Sequence, residues 1–240
     1  MYDYYEYLYR SSVFEKSSTS EVITLIYSFY QVHSGTVSFA AMVADDLMER
    51  LDDTVSTYDL LRVMQAYSEI ASKYPKLFMQ MELIFKKRFN QMSVDEMTTC
   101  ASGFAISGFG TPLFFKMLEQ GIMFNLPKFS TESLKEVCRG FLFSLRGSKL
   151  VLQMLLPRLE PILSEFTSSE LCYMIFAFHE GGYLPKAFAR QIEAGVKPRL
   201  LETDDITPQE LVLLVNVFCE TRTASRDFHK LLETVILMRL

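Results

Sequence analysis

One sequence pattern recurs six times along almost the whole chain and constrains the fold more than any other feature. If Leu171 is taken as position zero of a unit, equivalent apolar anchors follow one another at spacings of 38, 37, 37, 37 and 40 residues. The anchors are Val22, Leu60, Met97, Leu134, Leu171 and Leu211. A period of this length is typical of helical units that stack on one another, because each unit is too small to bury its apolar face alone.

Each unit begins with a helix-start signal. A serine or threonine stands four residues before every anchor, at Ser18, Ser56, Ser93, Ser130, Thr167 and Thr207. In five of the six units an acid stands one residue before the anchor, at Glu21, Asp59, Glu96, Glu170 and Glu210. The hydroxyl can accept from the backbone N–H three residues on, and the acid can reach back, so the pattern predicts a capped helix N-terminus.

Two helices are predicted in each unit. In the first, apolar residues recur at positions zero, three, four and seven, which places them on one helical face. Position seven is aromatic every time, at Phe29, Tyr67, Phe104, Phe141, Phe178 and Phe218. In the second, positions 17, 21 and 25 are apolar in all six units. Both helices should therefore bury one stripe, and the six rings are predicted to be core residues.

Single residues modify this regular pattern. Position six is small in five units and is Val217 in the sixth, which predicts that a neighbouring helix approaches closely in most units. Pro157 and Pro161 fall in the second helix of the fourth unit. Proline removes a backbone donor and clashes with the preceding turn, so this helix should be kinked or shortened.

The predicted fold class is all-α, in the form of an α-solenoid of about six two-helix repeats of about 37 residues. Residues 18–240 form the predicted repeat domain, and residues 1–17 are expected to form an N-terminal helix that completes or caps the array. The three extra residues of the fifth unit fall near "LETDD", which we interpret as a surface loop.

Composition excludes several classes of protein. With 49% hydrophobic and 22% charged residues, the chain can bury a large core and is not disordered. No apolar run approaches the length of a membrane span, so no membrane insertion is expected. The net charge of −5 argues against broad neutralisation of phosphate groups. The tyrosine-rich start "MYDYYEYLYR" resembles neither a transit peptide nor a signal peptide.

No motif for catalysis, for a metal or for a cofactor emerges, so the chain is predicted not to be an enzyme and to hold none of these groups. The four cysteines lack CxxC spacing and lie in apolar runs, which predicts buried reduced thiols at Cys100, Cys138, Cys172 and Cys219. The three histidines, His33, His179 and His229, are isolated from one another in sequence.

Positions two and five of the first helices should face outward and vary between units, as specificity positions of repeat proteins do. Two pairs are equipped for phosphate or base edges, namely Arg62 with Gln65 and Glu136 with Arg139. Arg62, Gln65 and Arg139, with Arg146 and Lys149 nearby in sequence, are therefore the RNA-binding candidates. The remaining pairs suit protein contacts better: Thr24 and Tyr27, Thr99 and Ser102, Tyr173 and Phe176, and Leu213 and Asn216.

The two ends of the array are the second candidate site. Terminal repeats need a polar outer face, and neither the tyrosine-rich start nor "LLETVILMRL" provides one. We therefore predict protein interfaces at Tyr4, Tyr5 and Leu8 and at Ile236 and Leu237. Three kinds of cover are open at this point: another chain, a second copy of this chain, or further residues of the same protein.

A 37-residue two-helix unit with a hydroxyl–acid start, an apolar stripe and an aromatic at its end resembles the heptatricopeptide-type repeats of protist mitochondrial proteins. It is similar as well to their octotricopeptide and FAST-kinase-like relatives. The resemblance covers residues 18–240 and implies a mitochondrial location and work on organellar RNA within a large assembly.

Three functional hypotheses follow from the residues and the resemblance together. The first is a non-catalytic scaffold or adaptor in a mitochondrial assembly, linked to RNA processing or to the mitochondrial ribosome, whose partners are other protein subunits and RNA. The second is direct RNA binding along one face of the repeats. The third is an accessory subunit of a respiratory or ATP synthase complex.

Overall fold

A computed structural model describes Tyr7, Tyr9 and residues 16–200 and 206–239. This part of the chain consists of helices joined by short turns and contains no β-strand. The predicted all-α class is confirmed.

Twelve α-helices lie in the described residues, and the odd-numbered helix of each pair begins at a predicted start signal. They are α1 Thr19–Gln31, α2 Val37–Arg50, α3 Thr57–Tyr67, α4 Pro75–Arg88, α5 Val94–Ser107, α6 Pro112–Asn125, α7 Thr131–Val137, α8 Lys149–Leu159, α9 Ser168–Glu180, α10 Lys186–Val196, α11 Pro208–Thr221 and α12 Arg226–Arg239. We call each pair a hairpin and number the hairpins one to six.

Short non-α segments extend several helices. Tighter 3₁₀ turns occupy Ser68–Lys73, Phe89–Gln91, Leu126–Lys128 and Glu160–Glu165. Helix α7 is continued by a π-helical turn at Cys138–Leu142, which the sequence pattern did not indicate. In hairpin four, α8 contains Pro157 and ends at Leu159, and Pro161 starts the 3₁₀ turn that follows. The shortening predicted from the two prolines is confirmed.

All six predicted N-caps form hydrogen bonds to the helix start. Each hydroxyl accepts from the backbone N–H three residues on, at Ser18, Ser56, Ser93, Ser130, Thr167 and Thr207. In hairpins one, three, five and six the glutamate also accepts from the cap's backbone N–H, which completes a capping box. These bonds satisfy donors that have no partner inside the helix.

The core lies between the paired helices, as predicted. All six position-seven rings are buried, with at most 2% of their surface exposed. In four hairpins the ring packs against the aromatic ring at position 17 of the second helix, with centroids 4.5 to 5.1 Å apart. The hydroxyl of Tyr67 donates to the carbonyl of Ala40 at 2.8 Å, so this buried polar group is satisfied.

Contacts divide the chain into two compact units, Met1–Asn125 and Leu126–Leu240. In the N-terminal unit, each first helix packs against its own second helix, and in addition α1 contacts α3 and α3 contacts α5. The second helices α2 and α4 also pack together. Of the predicted N-terminal helix only Tyr7 and Tyr9 are described, and the ring of Tyr9 packs edge-on against Phe39 at 5.5 Å.

The C-terminal unit repeats the same neighbour relations. Helix α9 packs against α10, against α11 and against the π-helical turn of hairpin four. Helix α10 also packs against the 3₁₀ turn Glu160–Glu165, and α11 packs against α12. The side chain of His179 on α9 lies 2.8 Å from Glu220 on α11, which adds a polar link between two first helices.

Close helix approach is clearest at Gly103, a position-six glycine of α5. A methyl group at Gly103 would lie within 3 Å of the end of the Met64 side chain on α3, which would then have to move. The same helix corrects one prediction. Ser102, expected to face outward, is buried, because α5 is flanked by α3, by α6 and by the 3₁₀ helix Ser68–Lys73.

Arginines tie the end of a second helix to the beginning of its own hairpin. Position 28 is arginine in hairpins one, two, five and six, and in the first three of these the guanidinium donates to the carbonyl five residues before the anchor, at Ser17, Val55 and Phe166. In hairpin four, Arg158 at position 24 reaches the equivalent carbonyl of Phe129 at 2.9 Å. Hydrogen bonds from a charged donor are stronger than neutral ones, so these arginines help to hold each second helix against the start of its hairpin.

Glutamates at position 22 join one hairpin to the next. Glu82 accepts from the backbone N–H of Thr111, the residue before α6, at 3.0 Å, and it also accepts from the Thr111 hydroxyl. Glu193 makes the same pair of bonds with Ser225, the residue before α12, with the backbone bond again 3.0 Å long. Both cap hydroxyls accept in turn from the first turn of the helix they start. A carboxylate is favourable there because the helix N-terminus is positive.

The pKa of Glu82 shows which effect prevails at this junction. Partial burial alone would raise the pKa, but hydrogen bonds from Lys86 and Thr111 outweigh it, and the pKa lies below its ordinary value. The carboxylate is therefore held in its charged form, although only 6% of Glu82 is exposed.

Candidate interaction surfaces

The predicted RNA-binding residue Arg62 is engaged in contacts within the N-terminal unit. Its guanidinium lies 4.6 Å from the ring centroid of Tyr27 and 5.4 Å from that of Tyr58. It donates to the Thr24 hydroxyl at 3.1 Å and lies 3.8 Å from the Asp59 carboxylate. The cation is thus already neutralised and stacked, so it stabilises the contact between α1 and α3.

These side chains form one outward patch, which we call the tyrosine–arginine surface: Thr24, Tyr27, Tyr58 and Arg62. Tyr58 is 66% exposed, whereas only 15% of the Arg62 side chain is accessible. The other predicted RNA-binding residue of this unit, Gln65, is half-buried one turn further along α3. A mostly aromatic face with a shielded cation is suited to protein contact more than to phosphate.

In the C-terminal unit, Arg139 also lies between acids. It forms an ion pair with Glu136 on its own helix and lies 3.8 Å from Glu170 on α9. Arg146 is half-buried in the turn before α8, directly after Leu145, which has a positive φ of 57°. Lys149 is exposed at the first position of α8. Of these three predicted RNA-binding residues, Arg139 is the one whose positive charge is clearly compensated, by the carboxylates of Glu136 and Glu170.

Aromatic and aliphatic side chains accompany Arg139 on the first helices of this unit. The rings of Phe143 and Tyr173 lie 5.9 Å apart, and Tyr173 is partly exposed. On α11, Val212 is 56% exposed and Leu213 is half-buried. This face of α9 and α11 therefore offers apolar contact area, as predicted for Tyr173 and Leu213, with Val212 in addition.

Exposed apolar side chains on the second helices, apart from Leu237, were not recognised from the sequence. Each is more than half exposed, and they are Val37 on α2, Met79 and Leu83 on α4, Leu113 and Phe124 on α6, Leu150 on α8, and Leu237 and Met238 on α12. Phe124, at 84%, is the most exposed large apolar side chain in the described part of the chain. The sequence does contain a signal for these exposed side chains, namely the apolar residues of the second helices that fall outside positions 17, 21 and 25. Exposed apolar side chains that are grouped rather than scattered mark interaction sites.

The predicted interface at the ends falls partly outside the described residues. Tyr4, Tyr5 and Leu8 lie outside them. On α12, Ile236 is half-buried, because it sits on the stripe at position 25, whereas Leu237 is 77% exposed. Of these two α12 residues, Leu237 is the one that offers apolar area to a partner.

The thiols offer no reactive site in the helical core. Burial raises the pKa of Cys100, Cys138 and Cys172, for Cys172 to about 12, which keeps these thiols protonated. The prediction of buried thiols is wrong for Cys219, which is exposed because position eight of α11 lies off the apolar stripe. Among the described residues, no group of three or more His, Cys, Asp or Glu is placed to hold a metal ion.

One small cavity of the N-terminal unit combines apolar and charged groups. It has a volume of about 270 Å³ and lies between α2 and the beginning of α4. Asp45, Lys73 and Lys76 border it together with Tyr74, whose pKa burial raises, with the Asp45 charge adding to the effect. The charges there are mixed, and the residues form no recognisable catalytic pair.

Among the helices that the structure describes, none is both long and apolar enough to cross a membrane. A scan against models of known protein families finds no match, and a search of curated proteins finds no similar sequence.

Proposed function

We propose that the chain is a non-catalytic helical-repeat scaffold that binds other proteins through the outer faces of its hairpins. In this proposal the six hairpins form an α-solenoid. The recurrent helix starts, the buried position-seven rings and the contacts between successive first helices within each unit support it.

One observation carries the proposal: large apolar side chains stand exposed on the second helices of both units. A single exposed apolar residue is ordinary on a protein surface. Here they recur on α2, α4, α6, α8 and α12. First helices carry fewer of them, at Tyr58, Ile106 and Val212, so the excess on the second helices points to contact with a partner there.

The charges favour protein over RNA as the directly bound partner. Arg62 and Arg139, the two arginines at outward position two or five, are both paired with acids. Binding a phosphate at either would first break these contacts. The whole chain also carries a net charge of −5, which weakens attraction to a polyanion.

The setting proposed from the family resemblance is a mitochondrial assembly concerned with RNA processing or the mitochondrial ribosome. The scaffold would then reach RNA through its protein partners. Direct RNA binding and an accessory role in a respiratory or ATP synthase complex are the alternatives that the following experiment separates.

We expect a tagged chain, purified from mitochondria, to retain its protein partners after nuclease treatment, because apolar contacts do not depend on RNA. Phe124→Asp should reduce their recovery at least about tenfold, since a charge placed in a buried apolar contact removes a hot spot. Quantitative mass spectrometry of the recovered proteins measures both effects.

Gln191→Asp is the matched control, because Gln191 is exposed on α10, a second helix that carries none of the exposed apolar side chains named above, and the change adds the same charge. It should leave recovery unchanged. Loss of all partners on nuclease treatment would favour direct RNA binding. Recovery of membrane-complex subunits alone would favour the accessory role.

A further inference from the structure

The glutamates of position 22 occur together with a particular residue in the next hairpin. Where position 22 is glutamate, as in Glu82 and Glu193, the next second helix is preceded by a hydroxyl residue that the glutamate binds, Thr111 or Ser225. The sequence shows the same combination in Glu119 followed by Ser148.

Where position 22 is apolar, the second helix of the next hairpin has no such hydroxyl residue before it. Hairpins one and four have Ala44 and Leu156 there. The next second helices are then preceded by Tyr74 and Pro185, neither of which makes a side-chain cap hydrogen bond. Glutamate at position 22 is therefore matched to a serine or threonine before the second helix of the next hairpin. A glutamate at this position indicates that the helix packed against it begins with such a hydroxyl residue.

Glu233 occupies position 22 of hairpin six. At position 22, exposure is 2% for Ala44, 6% for Glu82, 8% for Leu156 and 8% for Glu193, and Glu119 is half-buried. Glu233 is exposed instead. One turn further along α12, Leu237 and Met238 are 77% and 73% exposed. A carboxylate and two apolar side chains thus stand close together on the exposed side of α12.

We propose that this face of α12 binds a helical hairpin of a partner protein, one whose second helix begins at a serine or threonine. Glu233 would accept from the backbone N–H and the hydroxyl of that cap residue, as Glu82 and Glu193 do within the chain. Leu237 and Met238 would be covered by apolar side chains of the same hairpin. The inference rests on the proposed scaffold function and names the kind of partner that binds to α12.

The chemistry selects this occupant over other protein surfaces. A carboxylate has unsatisfied acceptors and is best matched by the N–H groups and the positive end of a helix. An adjacent hydroxyl supplies the second donor. An acidic or purely apolar partner would leave the buried carboxylate unpaired, which is costly.

The test uses the full chain with a second copy of residues 206–239 attached after Leu240 through a flexible Gly/Ser linker, which raises the effective concentration of the hairpin. Hydrogen exchange at the amides of the original α12 should slow by at least about tenfold relative to the unmodified chain. Glu233→Ala in the original chain should abolish most of this protection, and so should Ser225→Ala in the attached copy alone.

Three outcomes would overturn the proposal. The first is unchanged exchange in α12. The second is protection that neither substitution weakens, since a non-specific apolar contact would not need the carboxylate or the hydroxyl. The third is protection of α12 in the unmodified chain that grows with its concentration, which would identify a second copy as the occupant. None of these results bears on partners that bind at Phe124, so failure here is distinct from failure of the proposed function.

Discussion

Replacement of Phe178 with alanine is expected to lower the free energy of unfolding by about 3–5 kcal/mol. The ring is fully buried and packs against Phe188 with centroids 4.7 Å apart. Removing it deletes apolar area from the core and leaves a cavity between α9 and α10, both of which are destabilising. Denaturant unfolding followed by circular dichroism measures the loss.

Phe124→Ala is the matched control, because the residue type and the substitution are the same while the ring is 84% exposed. It should change the free energy of unfolding by less than about 0.5 kcal/mol. Equal losses from the two variants would contradict the assignment of the position-seven rings to the core.

Glu82→Ala is expected to cost about 1–3 kcal/mol, because the N–H of Thr111 loses its partner at a junction where the carboxylate is almost fully buried. Glu233→Ala provides the control. It removes the same side chain from the same position of the repeat, but Glu233 is exposed, so its loss should be close to zero. If the two substitutions lowered the free energy of unfolding by similar amounts, the loss at Glu82 would not come from its bonds at the junction.

The same carboxylate makes stability depend on pH in a defined direction. The pKa of Glu82 is lower in the folded chain than its ordinary value, so the folded state holds its proton less tightly than the unfolded state does. Its contribution is complete above the unfolded pKa of about 4.3 and is lost as the pH falls through the folded pKa. Unfolding measured between neutral and acid pH should therefore show a shallower acid loss for Glu82→Gln than for the native chain.

The start of every first helix was predictable from the sequence because the determinants are local. A hydroxyl and the backbone N–H that it accepts from are only three residues apart, so the pattern alone specifies the bond. The buried stripe was predictable for the same reason, since positions zero, three, four and seven share one face of any helix. Phe178 and the other position-seven rings could therefore be assigned to the core.

The bonds that join helices were not predictable in the same way. Glu82 and Thr111 are 29 residues apart in the chain, and only the packing of one hairpin on the next brings them together. Arg199 and the carbonyl of Phe166 are 33 residues apart. Alignment of the six units does place glutamate at position 22 and arginine at position 28 repeatedly, but a recurrent charged residue alone is more often a solvated one.

In the candidate site, too, local features were predictable from the sequence and contacts between helices were not. The sequence indicated that Arg62 and Arg139 face outward, but their acidic and aromatic neighbours come partly from other helices. Which cations remain available for a phosphate therefore depended on tertiary contacts. Ser102 was placed on the wrong face because the 3₁₀ segment Ser68–Lys73, which flanks α5, interrupts the simple two-helix pattern.

The most direct test of the scaffold proposal asks what touches α6 in mitochondria. The photo-reactive residue benzoylphenylalanine would replace Phe124 in one chain and the exposed Gln191 of α10 in another. We predict protein adducts at position 124 that persist after nuclease treatment and are weak or absent at position 191. Adducts that carry RNA, that disappear with nuclease, or that form equally at the two positions would contradict the claim that this apolar surface binds protein.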